Sequence, residues 1–434
     1  MLRTRTLVAT VAMTFVVTLV STTLSASAGD AAIAASGSAQ GVTSSTITIG
    51  VPYVDLASVA QFTNGLNQGN FPSVYGALIK GINSSGGING RMIKADYVAV
   101  NPIGSDSSTA ACTQLTEDDK VFAVIGFLQN NDSICYTNLH STPIIGGTMT
   151  TQLLSGAKAA WFDTTPIDNV LEPAVIRAAA KAGVFKGKKV AVLSLSNEAP
   201  GLTSAVTSAL KQSGVKPVAS ATVIANTSDP EASLRQIQGV VSLKFKSAGA
   251  NIVIPVGQAG QTWGNATASG SYHPQVVAPN YNAFSAYTEG KGVSPAVVAD
   301  SVTAYLAPLA VGTKAVSWND PALQKCVSTV KAAGQSVNSP MASIGSSNQT
   351  YVSVVQACQY LALFQAIAKK AGKDLTTASF QKAGNTLGSV HIPGQGTGVY
   401  SKSAPAGSFP LYLYKWSQSQ KSWIPSTVAY GKSG

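Results

Sequence analysis

Short runs of continuously apolar residues recur along this chain, and they constrain its fold more than any other feature. Val190-Ala-Val-Leu and Ile252-Val-Ile-Pro-Val are two examples, and neither alternates polar with apolar residues. A strand that is apolar throughout is buried on both faces, which is typical of a parallel sheet covered by helices. Stretches of helical character, at residues 169–182, 201–213 and 231–247, separate such runs. The sequence therefore predicts an α/β fold.

The predicted strands are spread over almost the whole chain. They cover residues 46–52, 92–100, 121–127, 143–146, 190–195, 221–225, 251–256, 275–278 and 301–306. A chain of 434 residues is long enough for two cores. We therefore predict two doubly wound parallel-sheet lobes, with ligands bound outside the carboxyl ends of the strands. The aromatic tail, residues 409–424, predicts a closing hairpin around Ser417-Gln-Ser-Gln-Lys.

The first 28 residues have the pattern of an export signal. Arg3 and Arg5 precede an apolar stretch, residues 7–20, and Ala26-Ser-Ala provides a small-residue cleavage site. Retention as a membrane anchor is the alternative, but threonines interrupt the stretch, which is short for a spanning helix. No cysteine precedes Cys112, so a lipoprotein acceptor is missing from this region. The prediction is a periplasmic, cell-envelope or extracellular protein.

Small and polar residues fill positions 29–45, which predicts a disordered linker after the signal. An apolar stripe over residues 351–370 predicts a core helix, because Gln356, Gln359 and Gln365 interrupt it as a membrane span. The net charge is +11, yet only 11% of residues are charged. Without a dense basic and aromatic face, no nucleic-acid partner is predicted.

Four cysteines in an exported chain favour disulfides over metal or redox chemistry. The three histidines are far apart and no CxxC occurs, so neither a metal nor a cofactor is expected. Three pairings are open from the sequence. We favour Cys112–Cys135 and Cys326–Cys358, because each pair lies within one segment of a predicted lobe.

The segment Gly81-Ile-Asn-Ser-Ser-Gly-Gly-Ile-Asn-Gly-Arg is a specific motif between the first helix, residues 73–83, and the next strand. It resembles the N-terminal signature of the branched-chain amino-acid (Leu/Ile/Val)-binding family, the type I periplasmic binding proteins of ABC transporters. Glycines permit positive φ at the end of a helix, and Asn-Gly suits a tight turn. The resemblance extends over nearly all of the mature chain.

This resemblance implies two lobes joined by three crossing strands. Trp161-Phe-Asp-Thr-Thr-Pro is similar to the first crossing, and the other two are expected near residues 278–281 and 391–399. The first lobe is then expected to hold residues 46–164 and 282–392, and the second lobe residues 165–281 and 393–434. Cys112–Cys135 is also similar to a first-lobe disulfide of the family, where it either positions the loop at Phe127 or acts as an ordinary staple.

The resemblance also implies ligand contacts, position by position. In the first lobe the expected contacts are Asn130, Asn131, Thr148 and Thr150, although Thr148 and Thr150 could instead be helix N-caps. In the second lobe they are Gln258, Asn280 and Tyr281, unless these residues are merely polar loop positions.

Asn280 stands where amino-acid-binding members of the family place a carboxylate for the ligand ammonium. The nearest acid from another loop is Glu198. An uncharged cleft suits a neutral or anionic ligand, and Tyr281 could stack on a flat one. We therefore expect a small amide, a carboxylate or an aromatic acid, and not a simple branched-chain amino acid.

The predicted function is that of a monomeric solute-binding protein, which delivers a small-molecule ligand to the membrane permease of an ABC transporter. The lobes are expected to close on the ligand. One alternative is a ligand-sensing component of a receptor. Another is a secreted hydrolase, but the chain shows no GxSxG or HExxH motif and no credible pair of catalytic acids. The prediction is that the protein is not an enzyme.

Overall fold

The computed structural model describes residues 39–63, 65–129, 131–225, 229–288, 293–306, 318–343 and 346–434. Two large sheets organise these residues. The first sheet has five parallel strands in the order β2-β1-β3-β4-β5, and the second has seven in the order β15-β14-β10-β9-β8-β6-β7. In the second sheet β14 and β15 run antiparallel to their neighbours. The predicted α/β class with two lobes is confirmed.

The strands follow the predicted apolar runs closely. They are β1 Thr46–Val54, β2 Met92–Val100, β3 Ala123–Ile125, β4 Ile144–Ile145, β5 Trp161–Phe162, β6 Val190–Leu195, β7 Ala219–Val223, β8 Ile252–Pro255, β9 Gln275–Ala278, β10 Val302–Tyr305, β11 Gly388–Ile392, β12 Gly396–Ser401, β13 Ala404–Ser408, β14 Pro410–Ser417 and β15 Ser422–Lys432. All residues of β6 and β8 are buried, as continuous apolarity requires. The predicted terminal hairpin is confirmed, since Trp416 pairs with Trp423 across β14 and β15.

Helices cover both faces of the sheets. They are α1 Ala60–Thr63, α2 Phe71–Ser84, α3 Asp106–Thr113, α4 Asp132–Ile134, α5 Thr151–Gly156, α6 Asp168–Lys181, α7 Leu202–Gln212, α8 Pro230–Gln236, α9 Ser242–Ser247, α10 Ala259–Thr267, α11 Tyr281–Thr288, α12 Pro295–Val298, α13 Pro321–Ala332, α14 Tyr351–Ala371 and α15 Thr377–Asn385. A π-helical turn, Ile237–Val241, joins α8 to α9, so the predicted helix over 231–247 is essentially continuous.

The glycine-rich motif forms the turn between α2 and β2. Gly87 has φ +68°, and a Cβ there would lie 2.0 Å from the Arg91 carbonyl oxygen, so this position requires glycine. Asn89 and Gly90 also have positive φ. The motif therefore encodes a backbone shape that few other sequences can adopt.

Helix α14 is a core helix of the first lobe. Among the described residues it is the one helix long and apolar enough to cross a membrane, and half of that stretch is buried within the protein. It packs against α2, α13 and α15. The Phe364 ring lies 5.7 Å from that of Phe380, which also contacts Phe122 and Phe162 of the first sheet. This packing favours a core role over a membrane role.

Both predicted disulfides are present. Cys112–Cys135 connects α3 to the turn after α4, with a Cα–Cα distance of 6.4 Å, and Cys326–Cys358 connects α13 to α14 at 6.1 Å. Both distances lie in the usual range for disulfides. Each bridge stays within the first lobe, so neither restrains the two lobes relative to each other.

Two of the three predicted crossings lie elsewhere in the structure. The first follows β5, as expected, and leads into α6. The second comes after β10 instead of near 278–281, because β9 and β10 pair within the second sheet. The third runs from β13 into β14. The predicted segment 391–399 instead belongs mostly to a small antiparallel sheet, β11-β12-β13, whose strands contact α14, α15 and β5.

The expected lobe limits shift accordingly. Because β10 pairs with β9 and β14, the second lobe extends through Tyr305 and does not end at residue 281. The small sheet belongs to the first lobe, so the second lobe resumes only at β14. The predicted disordered linker is wrong for residues 39–45, since Val42 is buried and Gln40 donates to the Thr116 carbonyl oxygen at 3.0 Å. Residues 1–38 lie outside the described part.

Candidate functional site

Polar residues gather where three strands of the second sheet end. Glu198 follows β6, Gly257 follows β8 and Asn280 follows β9. Carboxyl ends of parallel strands meet at one edge of a sheet, where α/β folds bind ligands. Helix α6, which begins after the first crossing, adds Glu172 to this edge. We name Glu172 and Glu198 the acid pair.

Three successive backbone amides hold the acid pair. Glu172 Oε2 accepts from the Gly257 N–H at 3.1 Å. Glu198 accepts from the Gln258 N–H through Oε2 and from the Ala259 N–H through Oε1, both at 3.2 Å. These amides form the N-terminus of α10, which favours negative charge. Since neighbouring amides bind them, the two carboxyl groups lie side by side.

Gly257 makes this arrangement sterically possible. Its φ is +57°, and a Cβ at this position would lie 1.8 Å from Glu198 Oε2. Any side chain here would displace the carboxyl group of Glu198 and strain the backbone. The glycine after β8 is therefore part of the site, although it contributes no functional group.

Asn280 connects the acid pair to the next helix. It is 7% exposed, and its Nδ2 donates to Glu172 Oε1 at 3.1 Å. Its Oδ1 accepts from the Ala283 N–H at 3.0 Å, which caps α11. Both ends of the side chain are engaged within the protein. Asn280 stays a predicted ligand contact, but its side chain is engaged by a buried carboxyl group, Glu172, that the sequence did not place beside it.

Burial dominates the electrostatics of these acids. Burial, with Asp168 adding to it, raises the pKa of the wholly buried Glu172 to about 8. Burial also raises the pKa of Glu198 to about 7, although hydrogen bonds from backbone amides lower that pKa. The pKa of Asp168 is raised for the same reason. Within the described ranges, none of the three forms an ion pair with a lysine, arginine or histidine. Among the described residues, the edge therefore has three carboxyl groups and no basic partner for them.

The predicted first-lobe contacts are only partly brought together. Asn130 lies outside the described residues. Asn131 and Thr148 are exposed loop residues. The Thr150 side chain accepts from the Leu153 N–H at 3.1 Å and caps α5, which is the alternative role foreseen for it. A cavity of about 490 Å³ follows β1 and is lined by residues between Tyr53 and Pro72, and none of the predicted ligand contacts lies in its lining.

The two remaining second-lobe candidates differ in accessibility. Gln258 is exposed and offers its side chain to the cleft. Tyr281 is 4% exposed, and its ring centroid lies 5.1 Å from that of Tyr305 and 6.1 Å from that of Tyr414. Its ring is therefore a core element and is not free to stack on a ligand, contrary to expectation.

A second acid lies in the first crossing. Asp163 is 4% exposed, and its Oδ1 accepts from the Thr164 and Thr165 amides at 2.6 and 3.2 Å. Its own N–H donates to the Pro405 carbonyl oxygen at the third crossing. Burial raises the pKa of Asp163 to about 7, although the two amides oppose this. Asp163 thus lies where two crossings meet.

Tyrosines surround this carboxyl group. Burial, with Asp163 adding to it, raises the pKa of Tyr360 and of Tyr400, and Asp163 also contributes at Tyr305. These phenols come from α14, β12 and β10. We name Asp163, Tyr305, Tyr360 and Tyr400 the hinge cluster.

Comparison with known families identifies the fold. The family model for the periplasmic binding protein matches residues 46–421, most of the chain. The chain belongs to the periplasmic binding protein family. A search of curated proteins gave no match.

Solved structures of other binding proteins share the fold. This periplasmic binding protein is similar to an ABC transporter substrate-binding protein from Desulfitobacterium hafniense in complex with Leu, with 14% identity, a TM-score of 0.60 and coverage of 88% of this chain and 100% of that one. It is also similar to a solute-binding protein of an ABC transporter from Rhodopseudomonas palustris BisB5 in complex with 3,4-dihydroxybenzoic acid. The identity is 16% and the TM-score 0.59, and the match covers 89% of this chain and 97% of that one. A third similar structure is a fatty acid ABC transporter substrate-binding protein from Thermomonospora curvata. The identity is 16% and the TM-score 0.60, and the match covers 90% of this chain and 94% of that one.

Membership of this family settles the class of function. Periplasmic binding proteins are extracytoplasmic proteins that bind solutes and are not enzymes, so the hydrolase alternative is excluded. The protein therefore binds a small molecule.

Sequence reasoning missed Glu172, Asp168 and Asp163. Asp163 lies within the Trp161-Phe-Asp-Thr-Thr-Pro crossing, and Asp168 and Glu172 follow it in the chain. An available signal was Glu172 itself, an acid within an otherwise apolar helical stretch, Leu171 to Ile176. A buried acid in such a position is rare unless it has a partner.

Proposed function

We propose that this periplasmic binding protein captures a small organic cation between its two lobes and delivers it to an ABC-type permease. One observation carries the choice of ligand. Asp168, Glu172 and Glu198 lie at the carboxyl-end edge of the second sheet, and no described basic residue pairs with them. A bound cationic solute lowers the raised pKa of these carboxyl groups, because each ionised carboxylate then has a partner.

The acid pair also argues against an anionic ligand. The N-terminus of α10 is the natural site for a ligand carboxylate in this lobe. Its first amides already bind Glu172 and Glu198, so an incoming carboxylate would meet two carboxyl groups. This reverses the expectation, drawn from an uncharged cleft, of a carboxylate or aromatic acid. A zwitterion such as leucine is disfavoured for the same reason.

The ligand contacts within this proposal combine both lobes. Glu198 and Asp168 bind the cation, and Glu172 is a positioning residue because it is wholly buried. Exposed Gln258, Asn131 and Thr148 supply neutral hydrogen bonds. The proposal includes export by a signal cleaved after Ala28 and action as a monomer without nucleic acid.

Calorimetry with matched solutes tests the charge of the ligand. Butylamine, putrescine and agmatine represent cations, and butyrate, 4-hydroxybenzoate and leucine represent the alternatives. Glu198→Gln should weaken cation binding by about tenfold or more, since a hydrogen bond to a charged group contributes roughly 1.5–3 kcal/mol. Glu231→Gln, at an exposed glutamate of α8, serves as the control. Preferred binding of butyrate or 4-hydroxybenzoate, strengthened by Glu198→Gln, would overturn the proposal.

A further inference from the structure

Six exposed lysines gather at one end of the second lobe. They lie on the segments that lead into β6, β7 and β8, and they are Lys186, Lys188, Lys189, Lys216, Lys244 and Lys246. Because these three strands are parallel, they all begin at one edge of the sheet, and this edge is opposite the one that carries the acid pair. We name these six lysines the basic corner.

Direct contacts hold the segments of the basic corner together. The Lys189 N–H donates to Asn251 Oδ1 at 2.8 Å, which joins the approach to β6 with the approach to β8. A Cβ on Gly249, which follows α9, would lie 3.4 Å from Lys189 Nζ. Lys244 Nζ donates to the Ser220 carbonyl oxygen at 2.8 Å, which joins α9 to β7. The lysines of the basic corner therefore come from neighbouring segments of one surface.

The positive charge of the basic corner is not balanced by neighbouring acids. Residues 181–197, 201–225 and 240–256, which contain β6, β7, β8 and the approaches to them, include no aspartate or glutamate. None of the six lysines forms an ion pair with a carboxylate of the described residues. Asp300, which precedes β10 at the same edge of the sheet, pairs with Lys415 at 2.8 Å. Clustered like charges repel one another, and a negatively charged partner relieves that repulsion.

Exposed aliphatic side chains accompany these lysines. Val218 is 44% exposed, Val240 is 65% exposed and Leu243 is 64% exposed. Leu243 lines a cavity of about 210 Å³ together with Lys246, and Val218 lies two positions after Lys216. Aliphatic side chains gain nothing from a hydrated polyanion such as nucleic acid, but they are stabilised at the boundary between the headgroups and the acyl chains of a bilayer. The combination of lysine and aliphatic side chains favours an anionic lipid surface as the partner.

We propose that the basic corner binds the protein to an anionic lipid surface, with the lysines at the headgroups and Val218, Val240 and Leu243 at the edge of the acyl chains. Strand β6 spans the distance from this corner to the ligand edge, which is about 20 Å at the rise per residue of a strand. A bound surface therefore leaves the acid pair accessible to a solute. The inference does not depend on the charge of that solute.

Sedimentation of the exported protein with vesicles tests the proposal. Vesicles of equal parts phosphatidylglycerol and phosphatidylcholine should bind it at low salt and release it as salt rises, whereas phosphatidylcholine alone should not bind it. Replacing both Lys186→Gln and Lys188→Gln should weaken binding by about tenfold or more, because each lysine near an anionic surface contributes roughly fivefold. Replacing both Lys331→Gln and Lys382→Gln removes the same charge from exposed positions of the first lobe, and this control should bind like the wild type.

A third variant separates a lipid surface from other polyanions. Leu243→Ser keeps every charge and alters an exposed side chain, so it should weaken vesicle binding about fivefold and leave binding to a DNA duplex unchanged. Equal vesicle binding by the wild type and both double variants would overturn the proposal. Tighter binding to the duplex than to the vesicles, with no effect of Leu243→Ser on either, would replace the lipid surface by a soluble polyanion and would also overturn it.

Discussion

The acid pair and the hinge cluster each contain a buried carboxyl group, Glu172 and Asp163, but they differ in how the protein satisfies it. Glu172 and Glu198 accept from three backbone amides and from Asn280. The hinge cluster places Asp163 on two amides and leaves the Tyr400 hydroxyl group without a partner among the described residues. Each carboxyl group of the first site has donors among the described residues, whereas the second site keeps a buried hydroxyl group without a partner there. The fold thus satisfies the acid pair more fully than the hinge cluster.

The largest expected effect is a loss of stability as the pH rises. Burial raises the pKa of Glu172 to about 8 and of Asp163 to about 7, so the folded state holds protons that the unfolded state releases near pH 4. These two groups should stabilise the fold most below about pH 4, and this contribution should fall by a few kcal/mol as the pH rises from about 4 to about 8. Urea unfolding across this range measures the change.

Two variants test whether Glu172 causes this dependence of stability on pH. Glu172→Gln cannot ionise and should flatten the curve, whereas Glu231→Gln, at an exposed site, should leave it unchanged. A wild-type protein that gains stability between pH 5 and pH 8 would show that these acids are ionised in the folded state at low pH, and would contradict the account.

Removal of Asn280 should have the next largest effect. Asn280→Ala takes a donor from buried Glu172 and the cap from α11, which together should cost about 3 kcal/mol. Asn197→Ala, at an exposed loop residue, is the control and should cost less than about 0.5 kcal/mol. Denaturant unfolding of both variants measures these two losses of stability. Equal small losses would mean that Asn280 does not support the acid pair.

Gly257→Ala should perturb the acid pair at Glu198, whereas Asn280→Ala perturbs it at Glu172. The positive φ alone should cost about 1 kcal/mol, and the clash with Glu198 should add a similar amount and weaken ligand binding. Gly183→Ala is a matched control, because Gly183 has φ +78° and nothing within 4 Å of its Cβ position. Equal losses in the two variants would show that Glu198 moves aside freely.

The smallest effect is expected at Tyr400, where the comparison with the acid pair is most direct. Tyr400→Phe deletes a hydroxyl group that has no partner among the described residues, so the ligand-free protein should change by less than about 0.5 kcal/mol or become more stable. Tyr272→Phe should instead cost about 1 kcal/mol, because its hydroxyl group donates to the Ala250 carbonyl oxygen at 2.7 Å. A larger loss for Tyr400→Phe would reveal a bond to buried water.

Local patterns predicted much of the fold. The apolar runs located β6 and β8, the glycine motif located the turn at Gly87, and the aromatic tail predicted the hairpin that pairs Trp416 with Trp423. These features depend on residues close together in the sequence. The crossings were misplaced because strand order in a sheet depends on contacts between distant segments, such as β10 with β14.

The candidate site was less predictable for the same reason. Glu198 was identified as the acid nearest to Asn280, but the sequence does not show that Glu172 lies beneath Asn280, 108 positions earlier in the chain. Asp163 gains its tyrosines from three elements that are far apart in sequence. A polar residue in an apolar stretch indicates that a partner exists, but not which residue provides it.

The chain order of the two sheets has a consequence for biosynthesis. All five strands of the first sheet come from one uninterrupted stretch of the chain. In the second sheet, β10 pairs with β14, which pairs with β15 near the C-terminus. A growing polypeptide cannot finish its second lobe until the ribosome has released nearly the whole chain, and distant pairings form slowly.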